Sequence, residues 1–210
     1  MKSILMILFL ILAFLFSWLA EAKLKKKLFT KLLACEKKGD SKNYFKLLEE
    51  PVAKICLSAN SRLLLQLDYY LTYGDVNKVK KLITKITKKP ADLSKDQNLL
   101  IRLMRSYILF LDKNDNQEAL KLEDYLKRNC KNTQIQKEIL QLHQVYLAPN
   151  QNLLTELSKQ LKTAEKPQQK LIIYDRLTKV SESLGLKKQA KEYLTQMRKI
   201  AQKTIKMEEF

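Results

Sequence analysis

The sequence predicts an all-α chain: an N-terminal transmembrane helix followed by a right-handed stack of helical hairpins, an α-solenoid. Three observations lead there. Glycine occurs three times and proline four times in 210 residues, while Leu, Lys, Gln, Glu and Ile abound. Those side chains lose little rotamer freedom on a helix, and few residues remain to break one. The first twenty residues hold an unbroken apolar run, and beyond it the breaking residues return at intervals near 35, the period of stacked hairpins. Strands are not supported, because no sustained apolar–polar alternation is bounded by turn pairs.

Residues 4–20 are Ile, Leu, Met, Phe and Ala with one Ser and one Trp. At 1.5 Å per residue the run reaches about 25 Å, close to the lower limit for crossing a bilayer. Trp18 stands near its end, where an indole favours the headgroup boundary. Lys2 lies on one side, and Lys23, Lys25, Lys26, Lys27 and Lys31 on the other. Lysines beside a membrane helix are retained in the cytoplasm. Residues 1–22 are therefore expected to be a signal anchor of a single-pass membrane protein, N-terminus outside and body cytoplasmic. The lysine cluster also suits anionic lipid headgroups, at about 1 kcal/mol per lysine. The alternative is export: Ala20-Glu21-Ala22 has the small-x-small form that signal peptidase accepts. The length of the run and the lysines just past that point weigh against cleavage.

Residues 23–38 read as a basic amphipathic helix leading into the repeats. Its Leu24, Leu28, Phe29, Leu32 and Leu33 share a face opposite the lysines, and that face either lies on the membrane or packs on the first hairpin. Apolar spacing, caps and breakers then predict helices over 24–38, 41–58 with a break at Pro51, 61–73, 75–88, 95–112, 116–129, 133–147, 151–163, 168–184 and 187–205. Residues 39–205 form the repeat domain and 206–210 a tail. Gly39, Gly74, Asn114, Asn150 and Gly185 punctuate this list at separations of 35, 40, 36 and 35. Each can take the left-handed conformation that closes a helix, and a following Asp or Asn can cap the next. Ser94 and Asn132 are expected N-caps. Pro51, Pro90, Pro149 and Pro167 fall at or near boundaries, where a missing N–H matters little.

Gly185, Ala190 and Leu194, with Gly74, Val79 and Ile83 more loosely, follow the turn, fifth-residue and ninth-residue pattern of the tetratricopeptide (TPR) family. Pro90 lies close to that family's closing proline, and Asn114 with Ala119 is a partial match. Over roughly residues 30–205 the chain resembles that family, though the family's first-helix tryptophan is missing. The resemblance implies a stack of hairpins with a peptide-binding groove on the first helices. It would place Asp68 and Thr72 in the groove, with Asp175, Lys179 and Glu182 in the last unit. Some TPR domains grip a chaperone's C-terminal carboxylate through Lys, Asn and Arg; here the aligned asparagine positions hold Leu64, Met104 and Asp175, so that clamp is not implied.

Chemistry is sparse. His143 is the single histidine and has no HExxH partner; it reads as a helix-surface or groove residue. Three glycines cannot build a phosphate loop, and no serine has a nucleophile-elbow setting. Adjacent acids such as Glu49-Glu50 diverge on a helix instead of converging on a pocket. No catalytic residue, metal ligand or cofactor is expected. Cys35, Cys56 and Cys130 match no zinc or redox spacing and read as small hydrophobes. Tyr69, Tyr70 and Tyr73 either fill the space between helices or line the groove. The net charge of +18 favours anionic partners, but without a basic stripe or a recognised motif nucleic acid is disfavoured. The expected function is a membrane-anchored scaffold that binds a protein or peptide partner and helps assemble or regulate a membrane-associated complex. An exported binding protein and a basic nucleic-acid binder are the alternatives.

Overall fold

The computed structural model describes the backbone of residues 2–208 and the side chains of residues 14–203. Among the described residues there are eleven helices and no strand, so the chain is all-α: α1 Lys2–Lys37, α2 Ser41–Glu49, α3 Pro51–Cys56, α4 Ala59–Tyr73, α5 Val76–Ile86, α6 Gln97–Asp112, α7 Asn116–Asn129, α8 Thr133–Tyr146, α9 Gln151–Thr163, α10 Pro167–Ser183 and α11 Lys187–Glu208. They fall into two compact units, unit 1 up to Lys88 and unit 2 from Lys89 onward.

The expected transmembrane helix is corrected. Among the described residues, no helix is long and apolar enough to cross a membrane. α1 does run unbroken from Lys2 to Lys37, but its charged residues from Glu21 onward end the apolar stretch, and a span needs about 20 apolar residues. The side chains of 4–13, within the expected anchor, lie outside the described residues. The single-pass topology, N-terminus outside and body cytoplasmic, is overturned with the span.

Local sequence explains the hairpin turns. Gly39, Gly74, Asn114 and Gly185 all have positive φ, between 57° and 74°. Each closes its helix with the same pair of bonds: its own N–H donates to the carbonyl three residues back, and the next N–H to the one five back. In the second turn these are Gly74 N to Leu71 O and Asp75 N to Tyr70 O, 3.4 and 3.0 Å. This is the Schellman closure. Asp40, Asp75 and Asp115 follow at once and cap the next helix, accepting from Asn43, Lys78 and Glu118 N–H. Asn150 differs from expectation. It has φ −150° and caps α9 through Leu153 N–H, because Pro149 has no N–H to give and forces extended backbone before it. The helix closure lies earlier, where Leu147 and Ala148 both donate to His143 O. Gly39→Ala is expected to destabilise by about 1–2 kcal/mol from the left-handed backbone alone, since a Cβ there meets only ordinary contact with Tyr73 at 3.6 Å. Thermal unfolding checks this.

In unit 1, Leu28 and Leu32 of α1 pack with Tyr44 and Leu48 of α2, Ala53 and Cys56 of α3, and Tyr69 of α4. Packing on the first hairpin thus takes two of the five residues of the predicted apolar face, while Leu24, Phe29 and Leu33 stay exposed. Glu50 is extended before Pro51, which opens α3 at its first position, so the break there has its expected cause. Tyr69 is buried and forms a tilted pair with Tyr44 at 4.5 Å, while Tyr70 stacks on Phe45 at 5.0 Å. Tyr73 is exposed at its ring, yet its hydroxyl donates to the Glu36 carbonyl. Of the cysteines, Cys56 is buried, Cys35 half-buried and both are free.

In unit 2, the faces of α6, α7, α8 and α10 carry fully buried Leu103, Phe110, Ala119, Leu126, Ile139, Val145, Leu177 and Val180. Free, buried Cys130 ends α7. Ser94 is not the N-cap of α6; Asp96 is, accepting from Leu99 N–H at 2.9 Å. Ser94 instead accepts from Lys131 N–H, 37 residues on, at 3.2 Å. Leu93 N–H to Asn129 O and Tyr125 OH to Lys89 O tie the same segment to α7.

Candidate functional site

Within unit 2, the three alternate helices α6, α8 and α10 send polar side chains to one place. Asp112 ends α6, Tyr146 ends α8, and Asp175 and Lys179 stand one turn apart on α10. Tyr146 OH donates to Asp112 Oδ1 at 2.7 Å, across 34 residues. Lys179 Nζ donates to Asp112 Oδ1 at 2.6 Å and lies 3.4 Å from Asp175 Oδ2. It also bonds Tyr146 OH and sits 4.4 Å from the centre of that ring. Burial works against the Lys179 charge, but the bonds to Asp112 and Tyr146 outweigh it and hold its pKa above the ordinary lysine value. Burial, with Asp112 as acceptor, pushes Tyr146 up to about 12. Lys179 is therefore a fixed cation and Tyr146 a fixed donor, and the two carboxylates are their acceptors. Both carboxylates are substantially exposed, so the patch faces solvent with a formal charge of −1 (two carboxylates, one ammonium).

Deeper in the same unit lies a second polar set. Glu123 of α7 is 4 % exposed and Tyr107 of α6 is 0 % exposed. Tyr107 OH donates to Glu123 Oε2 at 2.7 Å, Lys127 Nζ to Oε1 at 2.5 Å, and His143 Nδ1 lies 2.9 Å from Oε2. A carboxylate only accepts, so Nδ1 carries the hydrogen. Burial alone raises the Glu123 pKa; the bonds from Lys127, His143 and Tyr107 overcome it and hold the group below the usual glutamate value. Burial, then the bond to Glu123, pushes the Tyr107 hydroxyl well up. His143 is thus a partner of a buried acid, not a lone surface residue.

A third set joins α8, α9 and α10. Arg176, 8 % exposed, donates to Gln141 and Glu138. Gln141 passes the chain on to Gln160, and Gln160 to Glu156, both at 3.2 Å. These amides line a cleft of 380 Å³ between α8 and α9, but they are mutually satisfied, so the set reads as a clasp between helices.

The predicted groove residues divide between the units. Asp175 and Lys179 are brought together as described, and Glu182 lies exposed one turn further along α10. Asp68 and Thr72 belong to unit 1, where Thr72 Oγ1 donates to the Asp68 carbonyl at 3.0 Å and to Glu36 Oε1 at 3.3 Å. Asp112 and Tyr146 are additions. The frame that places Thr72 two residues before Gly74 also places Asp112 two before Asn114, so Asp112 was within reach of the sequence. Tyr146 was not, because Asn150 misplaces the turn. In the lysine cluster, Lys23, Lys26, Lys27 and Lys31 are exposed, and Lys25 pairs with Glu21 at 2.6 Å. Among the described residues no group of three or more His, Cys, Asp and Glu is placed to hold a metal ion. Comparison with protein-family models, curated proteins and solved structures gives no match for this chain.

Proposed function

We propose that the chain is a TPR-like helical-repeat scaffold that binds a protein or peptide partner through the α6, α8 and α10 side of unit 2. The observation that carries this is the Asp112–Tyr146–Lys179 linkage. Its members sit 34 and 33 residues apart, one hairpin each, and their mutual bonds fix a half-exposed polar surface whose two carboxylates remain open to solvent.

Further features support a repeat. Four left-handed turns are each followed, five residues on, by a buried side chain: Tyr44, Val79, Ala119 and Ala190. In unit 1 Tyr73, ending α4, reaches back 37 residues to the last turn of α1, much as Tyr146 reaches back to the end of α6. Stacked hairpins offer binding residues on rigid elements, where little conformational entropy is lost on association. With Glu182 beside it the patch is acidic within a chain of net charge +18, so a partner segment carrying a basic side chain fits it best.

Photo-crosslinking in the full chain tests the reading. A photoreactive residue at Glu182 or at Lys113, both exposed and flanking the patch, is expected to give the same discrete adduct, and Lys179→Ala is expected to remove it. The same probe at Leu120 on α7 is expected to give none. Adducts arising from Leu120 alone would place binding elsewhere.

A further inference from the structure

α1 displays more apolar surface than unit 1 covers. Leu28 and Leu32 turn into the core. About a third of a turn round the helix, Leu15, Trp18, Ala22, Phe29 and Leu33 all stand exposed, Trp18 at 60 % and Leu33 at 54 %. Their steps of three, four, seven and four residues set them in one stripe along the helix, and exposed Phe14, Phe16 and Leu19 widen the apolar surface around Trp18. Exposed Lys26 borders the stripe on one side, with exposed Lys23 further round on that side. On the other, Lys25 is held to Glu21.

We infer that this stripe is a docking surface for an anionic lipid bilayer, with α1 lying along the surface and not crossing it. The apolar side chains enter the boundary between headgroups and acyl chains, and the lysine stems reach back so that their ammonium groups meet lipid phosphates. Charge decides between this occupant and a second copy of the chain. Residues 21–31 hold five lysines and one glutamate, so pairing two copies along the stripe would set lysine against lysine. An anionic membrane turns the same lysines into attraction, and the net charge of +18 adds to it. The inference stands apart from the proposed partner surface, which lies in the other unit.

Trp18 is the single tryptophan of the chain, so tryptophan emission of the full-length protein reads this helix alone. Phosphatidylcholine vesicles with phosphatidylserine are expected to shift the emission to the blue, and added salt to reverse the shift. Lys23→Gln and Lys26→Gln together are expected to weaken binding about thirtyfold. These lysines are exposed, and far-ultraviolet circular dichroism confirms that the variant keeps its helices. No shift on the anionic vesicles would overturn the inference. So would an equal shift on pure phosphatidylcholine that the double variant retains. A shift in vesicle-free buffer that grows with protein concentration would assign the stripe to a second copy instead.

Discussion

Glu123→Ala is expected to destabilise the protein by about 3 kcal/mol or more, read from urea unfolding at neutral pH. Two terms add. The Tyr107 hydroxyl is buried and loses its acceptor, which costs about 1–3 kcal/mol, and truncating a buried side chain leaves a cavity. Glu123 stands nine residues after the Asn114 turn, where Leu48 and Ile83 stand after Gly39 and Gly74, all three of them buried. An apolar pair should therefore serve there. Tyr107→Phe with Glu123→Leu is expected to recover most of the loss, since exchanging both partners of the buried bond for apolar groups is nearly neutral and the part-exposed Lys127 and His143 can turn to water. Acid gives an independent reading. The folded-state pKa of Glu123 lies below the ordinary value of 4.5. Its ionised form thus contributes fully above about pH 4.5, and that contribution fades as pH falls through the lower folded value. Glu123→Gln is expected to remove this portion of the acid sensitivity. A variant whose stability falls with acid just as steeply as the wild type would contradict the assignment.

Phe110→Ala is expected to cost about 3–5 kcal/mol, because the ring is wholly buried where α6 meets its neighbours. Ile101→Ala, on the same helix but half exposed, is expected to stay within about 0.5 kcal/mol of wild type. The contrast tests which face of α6 is inward. Equal losses at both positions would mean that something covers Ile101.

Much of the helical plan was legible because it is written in local chemistry. α7 and α9 have the bounds that apolar spacing and caps predict, 116–129 and 151–163. Gly39, Gly74, Asn114 and Gly185 take the left-handed conformation that their residue types favour. The structure departs from the expected caps and turns where two local signals compete. Ser94 and Asp96 both resemble caps, and only the distant Lys131 N–H shows that Ser94 is otherwise engaged. Asn150 looked like a turn residue, but Pro149 made it an N-cap.

The candidate site was legible only in part, for a different reason. Asp175 and Lys179 are one helical turn apart, so their association follows from periodicity. Asp112 and Tyr146 join them across 67 and 33 residues, and those bonds exist only once the hairpins stack. The same holds for Glu123, an acid in an apolar position whose three donors come from α6, α7 and α8. The apolar N-terminal run misled because its composition speaks for a span, whereas the described residues of α1 turn to lysine and glutamate after Ala20.

Hydrogen exchange of the full chain, alone and with the partner recovered through the Glu182 crosslink, tests the central claim most directly. The account predicts slowed exchange at the C-terminal turns of α6 and α8 and in the second half of α10, with α7 and α9 unchanged. Protection confined to α7 and α9, or to unit 1, would contradict it.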